Sequence, residues 1–411
     1  MEAFMTASDD TAAPWLSIVG IGEDGLDGLS TAARALLAKA ELIVGGPRHL
    51  ALVAALAKPT QAWEIPFAAS LPKLLAQRGK RVVALCSGDP FWYGAGSVIA
   101  DSVPAAETLA LPAPSSFAFA AARLRWRLEE TTTLGLHARP LDLLRPHLHN
   151  AARLIVLARD GAAPAKIAAY LTGLGFGPSR LTVLEALGGA RERVRATTAD
   201  DFALDDIQSP VAVAIEAIAT PGAIIMPRIA GLPDDLFQHD GQLTKREIRA
   251  ITLSTLAPRG GELLWDIGAG SGSIGIEWLL AHPTNRAIGI EPREDRLANA
   301  RANAASLGVP HFDLRLGSAP EALQDLPTPD AVFVGGGASR DGVLDAVWQA
   351  LPRGGRLVVN AVTLETEAEL IAQQARHGGS LLRLAVERAG AVGGMTGWRA
   401  AMPVVQWSAV K

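Results

Sequence analysis

Residues 263–280 read LLWDIGAGSGSIGIEWLL, an apolar run broken by Gly268, Gly270, Gly272 and Gly275, with Asp266 just before the first of them. Glycine lets a chain turn without a Cβ clash and lets backbone N–H groups come close to a ligand. Two chemistries use such a turn. Gly270-Ser-Gly-Ser-Ile-Gly275 is a formal GxGxxG, in which N–H donors meet the pyrophosphate of a dinucleotide. Read from Asp266, the same stretch is D-x-G-x-G-x-G, with Ala269 and Ser271 between the glycines. That pattern suits S-adenosylmethionine, which has no phosphate. It needs close backbone approach to its ribose and methionine part, and an acid near its amino group or cationic end. Glu291, nineteen residues past Gly272, ends the next apolar run and is placed to accept hydrogen bonds from two ribose hydroxyls. Both readings require Glu291, whereas the acid within the turn favours the methyl donor.

A second set of loops lies upstream. VGIGEDGLDGLS carries Gly20, Gly22 and Gly25, LCSGDPFWYGAGS carries Gly88 and Asp89, and APSSFAFAAARL puts Ser115 and Ser116 at a helix start. Loops at strand C-ends converge on one cleft in open α/β sheets. Trp92 and Tyr93 in the second loop offer rings for stacking or packing. No H-x-E, G-x-S-x-G or C-x-x-C pattern appears, so no catalytic residue is assigned and no metal site is expected. The single Cys86 excludes an intrachain disulfide and reads as a small buried hydrophobe. His239 has no ligand partner at metal spacing and reads as a loop histidine.

The elements that must hold these loops follow an α/β alternation from residue 15 onward, which predicts a largely parallel sheet in the first half. Three prolines and two glycines in TPGAIIMPRIAGLPDD mark a boundary, giving a disordered tail over 1–14, a domain over 15–228 and a domain over 229–411. Thr244 with Glu247 three residues later predicts a capping box before a helix. Strand and helix patterns then alternate through RLVVNAV in a doubly wound order. The tail is acidic and lacks a basic leader, no apolar run reaches membrane-spanning length, and the compartment is expected to be the cytoplasm. The net charge is −4, with 21 basic against 22 acidic residues up to Arg228 and 17 against 20 beyond it. Neither half has the basic excess of a nucleic-acid-binding protein.

Residues 229–411 resemble the cobalamin-pathway C-15 methyltransferases and decarboxylases, which are class I Rossmann methyltransferases. The stretches LTKREIR, GIEPREDRLANARAN, GSAPEAL, AVFVGGG and LVVNAVTLET carry the resemblance. It implies cofactor contacts from Thr244, Gly268 to Gly272, Glu291, Ser318 and Ala319. Residues 15–220 resemble the two-lobed tetrapyrrole methylases, and VGGPRHL, SGDPFWYG and EALGGARERVRATT resemble the C-5 methylases among them. That resemblance implies contacts from Gly20, Gly22, Gly88, Asp89, Ser115 and Ser116. The usual first loop of the class, G-x-G-P-G, here has Glu23 and Asp24 in place of its proline.

Together the halves resemble the fused methyltransferases that methylate a precorrin at C-5 and C-15 and decarboxylate its C-12 acetate. The implied features are two S-adenosylmethionine sites per chain, a small-molecule tetrapyrrole substrate, no nucleic-acid or membrane partner, and a homo-oligomer, for which the family's C-terminal domain suggests a tetramer. Lys245, Arg246, Arg249 and Arg340 are candidate anchors for ring carboxylates. The rival readings are an RNA or protein methyltransferase, against which stands the lack of a D/N-P-P-Y/F motif, and a non-catalytic S-adenosylmethionine-binding half.

Overall fold

In the computed structural model, which describes residues 14–411, the run around Asp266 forms a strand, Leu263–Ile267, with every residue buried. Leu263, Trp265 and Ile267 enter one core and Leu264 the opposite one, as the two-residue period of a strand dictates. A strand covered on both faces reads as a continuous apolar run rather than an alternation. Apart from Pro14, the tail expected over 1–14 lies outside the described residues.

The chain divides into two compact units. One runs to Arg139 and includes His149–Ile224; the other comprises Pro140–Leu148 and Ile225–Lys411. The N-terminal unit holds two sheets. The first contains β1 (Leu16–Ile21), β2 (Leu42–Gly45), β3 (Thr60–Ala62), β4 (Val82–Ser87) and β5 (Thr108–Leu111) in the order β3-β2-β4-β1-β5. All its pairings are parallel. Val19 and Ile21 of β1 face one core and Leu16 and Ile18 the other.

The second sheet contains β6 (Thr132–Gly135), β7 (Arg153–Leu157), β8 (Arg180–Glu185), β9 (Arg193–Thr198) and β10 (Val211–Glu216) in the order β6-β7-β10-β8-β9. Here the expectation of a largely parallel sheet fails: only β6 and β7 run parallel, and β10 is antiparallel to both its neighbours. The cause is the connection. A parallel pair needs a crossover of a dozen or more residues, whereas β8 reaches β9 through the short turn 186–192 and pairs antiparallel with it.

The C-terminal unit carries β11 (Leu263–Ile267), β12 (Arg286–Glu291), β13 (Asp313–Leu316), β14 (Ala331–Val334), β15 (Arg356–Ala361), β16 (Ser380–Leu384), a separate hairpin of β17 (Glu387–Val392) and β18 (Met395–Ala400), and β19 (Val404–Val410). The main sheet is ordered β13-β12-β11-β14-β15-β19-β16. Its first five strands are parallel, and β19 runs antiparallel between β15 and β16. The doubly wound architecture is therefore as expected, while the helix Leu364–His377 and all strands after β15 go beyond the sequence reading.

The capping box at Thr244 does not form. The helix spans Arg246–Leu256, its N-cap is Lys245, and no side chain caps it. The Thr244 carbonyl instead accepts from the Arg249 guanidinium, and Glu247 pairs with Arg388 of β17. With Lys245 at the N-cap, Thr244 lies one residue too early for the box, and the Glu247 carboxylate is engaged by Arg388. Among the described residues no helix is long and apolar enough to cross a membrane.

Candidate active sites

In the C-terminal unit the strand order reverses between β11 and β14, and ligands of open α/β sheets bind in the crevice at such a point. A cavity of about 620 Å³ opens there, and Thr244, Gly268, Ala269, Gly270, Ser271, Glu291, Ser318 and Ala319 all line it. The turn is held by its own backbone: the N–H groups of Gly268 and Ala269 donate to the Ile290 carbonyl at 2.9 and 3.1 Å. The Gly270 N–H donates to Glu291 Oε2 at 2.8 Å, and the Arg293 N–H donates to Oε1 at 3.1 Å. Glu291 is 2% exposed, yet each carboxylate oxygen keeps a lone pair beyond its one backbone bond.

The glycines are needed for different reasons. Gly268 has φ +70°, and a Cβ there would lie 2.8 Å from the Gly336 nitrogen, so packing against backbone excludes a side chain. At Gly270, φ is +55° and no atom lies nearer than 4.0 Å to the position of a Cβ. A side chain there would enter the cavity that Gly270 lines. Gly272, with φ +76°, caps the helix Ser273–Ala281 and is not on the wall.

Asp266 is not on the wall either. It lies beneath the turn, 1% exposed, with Oδ2 accepting the Gly275 N–H at 2.9 Å and Oδ1 without a partner. Burial pushes its carboxyl up to about 7; the Gly275 bond opposes this and the Glu291 carboxylate adds to it.

The candidate anchors separate cleanly. Arg249 is fully buried and ion-paired with Glu277 and Asp234, so it holds the fold and cannot reach a ligand. Arg246 donates to the Gly231 carbonyl at 2.9 Å and does not line the cavity. Lys245 and Arg340 do line it, alongside Arg296 and Arg388. Arg296 is paired with Asp240 and Arg388 with Glu247. His239 accepts the Gly241 N–H at 3.0 Å in an exposed loop, and no metal-holding group of side chains occurs among the described residues.

Two wall features escaped sequence reading. Asn360 at the end of β15 is held by a buried amide network, donating to Thr252 Oγ1 at 2.9 Å and accepting from Gln406 at 2.9 Å. Val386, Arg388, Ala401 and Met402, at the base of the β17–β18 hairpin, close another side.

In the N-terminal unit a cavity of about 260 Å³ is lined from the first sheet by Gly22, Gly88, Ser115 and Ser116, and from the second by Leu157, Leu184 and Val211. Gly20 and Asp89 lie behind the wall. A Cβ on Gly20 would sit 1.8 Å from the Gly88 carbonyl oxygen. Asp89 Oδ1 accepts the Phe91 N–H at 2.9 Å. Ser115 caps its helix by accepting the Ala118 N–H at 3.2 Å.

Trp92 and Tyr93 line the cavity and pack on Phe117 with ring centroids 5.1 and 5.9 Å away. Glu23, which stands at the departure from the usual loop, bridges Arg48 and Arg191. Asp24 folds its carboxylate over Gly28. Burial first, and the Arg48 charge second, push the neighbouring His49 down to about 4. Glu23, Arg48 and His137 are the wall residues that sequence reading missed. Arg48 stood inside VGGPRHL without being singled out, His137 stood in a run that offered no local signal, and Glu23 appeared only as a departure from a pattern.

The two regions match separate family models. Residues 16–203 match the tetrapyrrole (corrin/porphyrin) methylases and residues 235–411 a precorrin methyltransferase domain. A precorrin-6Y C(5,15)-methyltransferase [decarboxylating] of Sinorhizobium sp is 54% identical over 399 residues, 97% of each chain. A probable cobalt-precorrin-6B C(15)-methyltransferase (decarboxylating) of Saccharolobus solfataricus is 39% identical over 144 residues, 34% of this chain and 72% of that one. The solved C-terminal domain of a precorrin-6Y C5,15-methyltransferase from Rhodobacter capsulatus is 50% identical, covers 45% of this chain and 100% of its own, and superposes with a TM-score of 0.44. With one relative matched from end to end and both of its regions matched to methylase models, the chain belongs to the precorrin-6Y C(5,15)-methyltransferase (decarboxylating) family.

Proposed function

We propose that this chain methylates a precorrin at C-5 and at C-15 and releases CO2 from the C-12 acetate, in cobalamin biosynthesis. S-adenosylmethionine is the methyl donor that both family matches imply. One observation carries the finer reading of two donor sites: each unit has its own cavity, walled by its own glycine-bearing strand ends. The C-terminal residues fit the donor. The space above Gly270 admits a ligand where a Cβ would intrude, and Glu291 presents free lone pairs to two ribose hydroxyls. Thr244, Gly268 to Ser271, Ser318 and Ala319 supply the remaining wall. In the N-terminal unit Gly22, Gly88, Ser115 and Ser116 form the corresponding cradle, with Gly20 and Asp89 supporting it from behind.

The donor supplies an electrophilic sulfonium methyl, and the bridging carbons of the ring are enamine-like. The protein's work is alignment and exclusion of water. Lys245 and Arg340, on the wall and outside the ion pairs that occupy Arg296 and Arg388, are the groups we assign to ring carboxylates. Methylation at C-15 creates the conjugated iminium into which the C-12 acetate loses its electrons, so we assign decarboxylation to the C-terminal unit and C-5 methylation to the N-terminal one. A relative whose name joins C-15 methylation to decarboxylation, without C-5 methylation, supports keeping those two steps in one unit. On this reading the enzyme works in the cytoplasm as a homo-oligomer, with no nucleic-acid or membrane partner.

The test is Gly270→Val in the full chain, with product mass read after incubation with a precorrin and isotope-labelled S-adenosylmethionine. The wild type should add two methyls and lose one CO2. The variant should add one methyl, lose no CO2, and bind one donor instead of two. Continued CO2 release at the wild-type rate refutes the division of labour.

A further inference from the structure

We propose that His137 is the proton acceptor for the methyl transfer of the N-terminal unit. The inference rests on the division of labour above and follows from charge balance. In each transfer the π pair of a neutral enamine carbon forms the new C–CH3 bond. The S–CH3 bond breaks with its pair kept by sulfur, which becomes a neutral thioether, and the ring is left as a cationic iminium. In the C-terminal unit the charge is cleared by the carboxylate that leaves as CO2, whose bonding pair flows into the iminium. That balance removes no net proton. A methylation without decarboxylation has no such outlet, and a proton must pass from the iminium to a base.

The two cavity walls differ in the way this predicts. The wall of the C-terminal cavity contains no histidine; its acids are Glu291, engaged by the Gly270 and Arg293 N–H groups, and Glu247, paired with Arg388. The N-terminal wall contains His137, in the loop after β6. Its one carboxylate and two of its hydroxyls are committed. Glu23 bridges Arg48 and Arg191, the Tyr93 hydroxyl donates to the Thr133 carbonyl at 3.1 Å, and Ser115 caps its helix.

No ion pair or hydrogen bond engages the His137 ring among the described residues, and the ring is exposed where the cavity is open. Arg159, after β7, acts on its charge, Glu23 and Arg48 share its cavity wall, and Asp160 follows Arg159 in the chain. Asp160 is occupied by the Ala162 and Ala163 N–H groups. Crowding by protein first and the Arg159 charge second hold His137 below its ordinary 6.5. The imidazole is therefore neutral, with a lone pair to offer, at neutral pH.

His137→Gln and His137→Ala in the full chain test this. The readouts are the rate of the methyl addition that releases no CO2, donor affinity by calorimetry, and the response to added imidazole. General-base catalysis contributes about 10²- to 10⁴-fold. Both variants should slow that step at least about 100-fold, keep wild-type donor affinity, and lose the rate increase that deprotonation of the histidine produces at mildly acid pH. Added imidazole should restore part of the rate to His137→Ala. An unchanged rate, a loss that tracks donor affinity, or no response to imidazole overturns the proposal. Failure of the division of labour is seen separately, as CO2 release by Gly270→Val.

Discussion

Asp266→Asn should change how the stability of the C-terminal unit depends on pH. Asp266 sits beneath the glycine turn with one oxygen unpartnered, and burial raises its carboxyl from 3.8 to about 7. A raised acid in the folded state contributes stability that is complete below the unfolded value of 3.8 and is lost as pH climbs through about 7. Between pH 5 and pH 8 the loss integrates to about 3 kcal/mol for these two values. An amide of the same shape does not titrate, so the variant escapes this loss. It leaves an NH2 in the slot of the unpartnered oxygen, at a cost of about 1–3 kcal/mol that is the same at both pH values. The stability difference between variant and wild type should therefore move toward the variant by about 3 kcal/mol from pH 5 to pH 8. Hydrogen exchange of peptides covering β11 and the helix Ser273–Ala281, on the full chain without donor and corrected for intrinsic rates, reads it directly. A parallel pH dependence for the two proteins would mean that Asp266 is ionised throughout and that burial does not govern it.

Glu291→Ala should weaken donor binding in the C-terminal unit by about 1.5–3 kcal/mol, roughly 10- to 150-fold in Kd, with a smaller effect on turnover of the bound complex; calorimetry that finds both affinities unchanged removes Glu291 from the ribose. Gly20→Ala should destabilise the N-terminal unit by about 1–3 kcal/mol or more, because its Cβ meets the Gly88 carbonyl and the Ala113 nitrogen, both backbone. Thermal unfolding checks it, and donor binding to that unit should fall with it. Arg249→Leu should cost about 3–5 kcal/mol, since Glu277 and Asp234 lose a buried partner. Denaturant unfolding of the C-terminal unit measures this, and a change below 1 kcal/mol would show that the pair is dispensable.

The glycine turn was legible because its demands are local: a strand end, a positive φ and a nearby acid lie within a few residues. Even so, one run concealed two causes, since Gly268 is excluded from bearing a side chain by Gly336 and Gly270 by the cavity. Asp266 was readable as an acid in the turn but not as an acid beneath it, because the direction of a side chain at a strand end depends on register. The capping box misled because the helix starts one residue later than the motif requires, with Lys245 at its N-cap, and because Arg388 takes Glu247 from outside the motif. Asn360 owes its position to Thr252, 108 residues away, and to Gln406, 46 residues away. No local pattern encodes such a triad. The mixed second sheet was hidden because β8 and β10 are apolar runs of the kind that parallel strands also show, and the short turn to β9 passed as part of a motif.

The position of β19 has a consequence for the order in which the protein is made. β16 is synthesised before β19, yet in the sheet it lies outside it and bonds to the rest only through it. A nascent chain that has emerged as far as β18 thus holds β15 with an open edge and β16 with nowhere to dock. Completion of the sheet waits for residues 404–410, which must thread antiparallel between two strands already present. Pairings of this kind are non-local and slow to form. The N-terminal unit, with all ten of its strands complete by Glu216, is free to fold well before that moment. A ribosome stalled a few residues short of Val404 would leave one cavity finished and the other with an unsealed sheet.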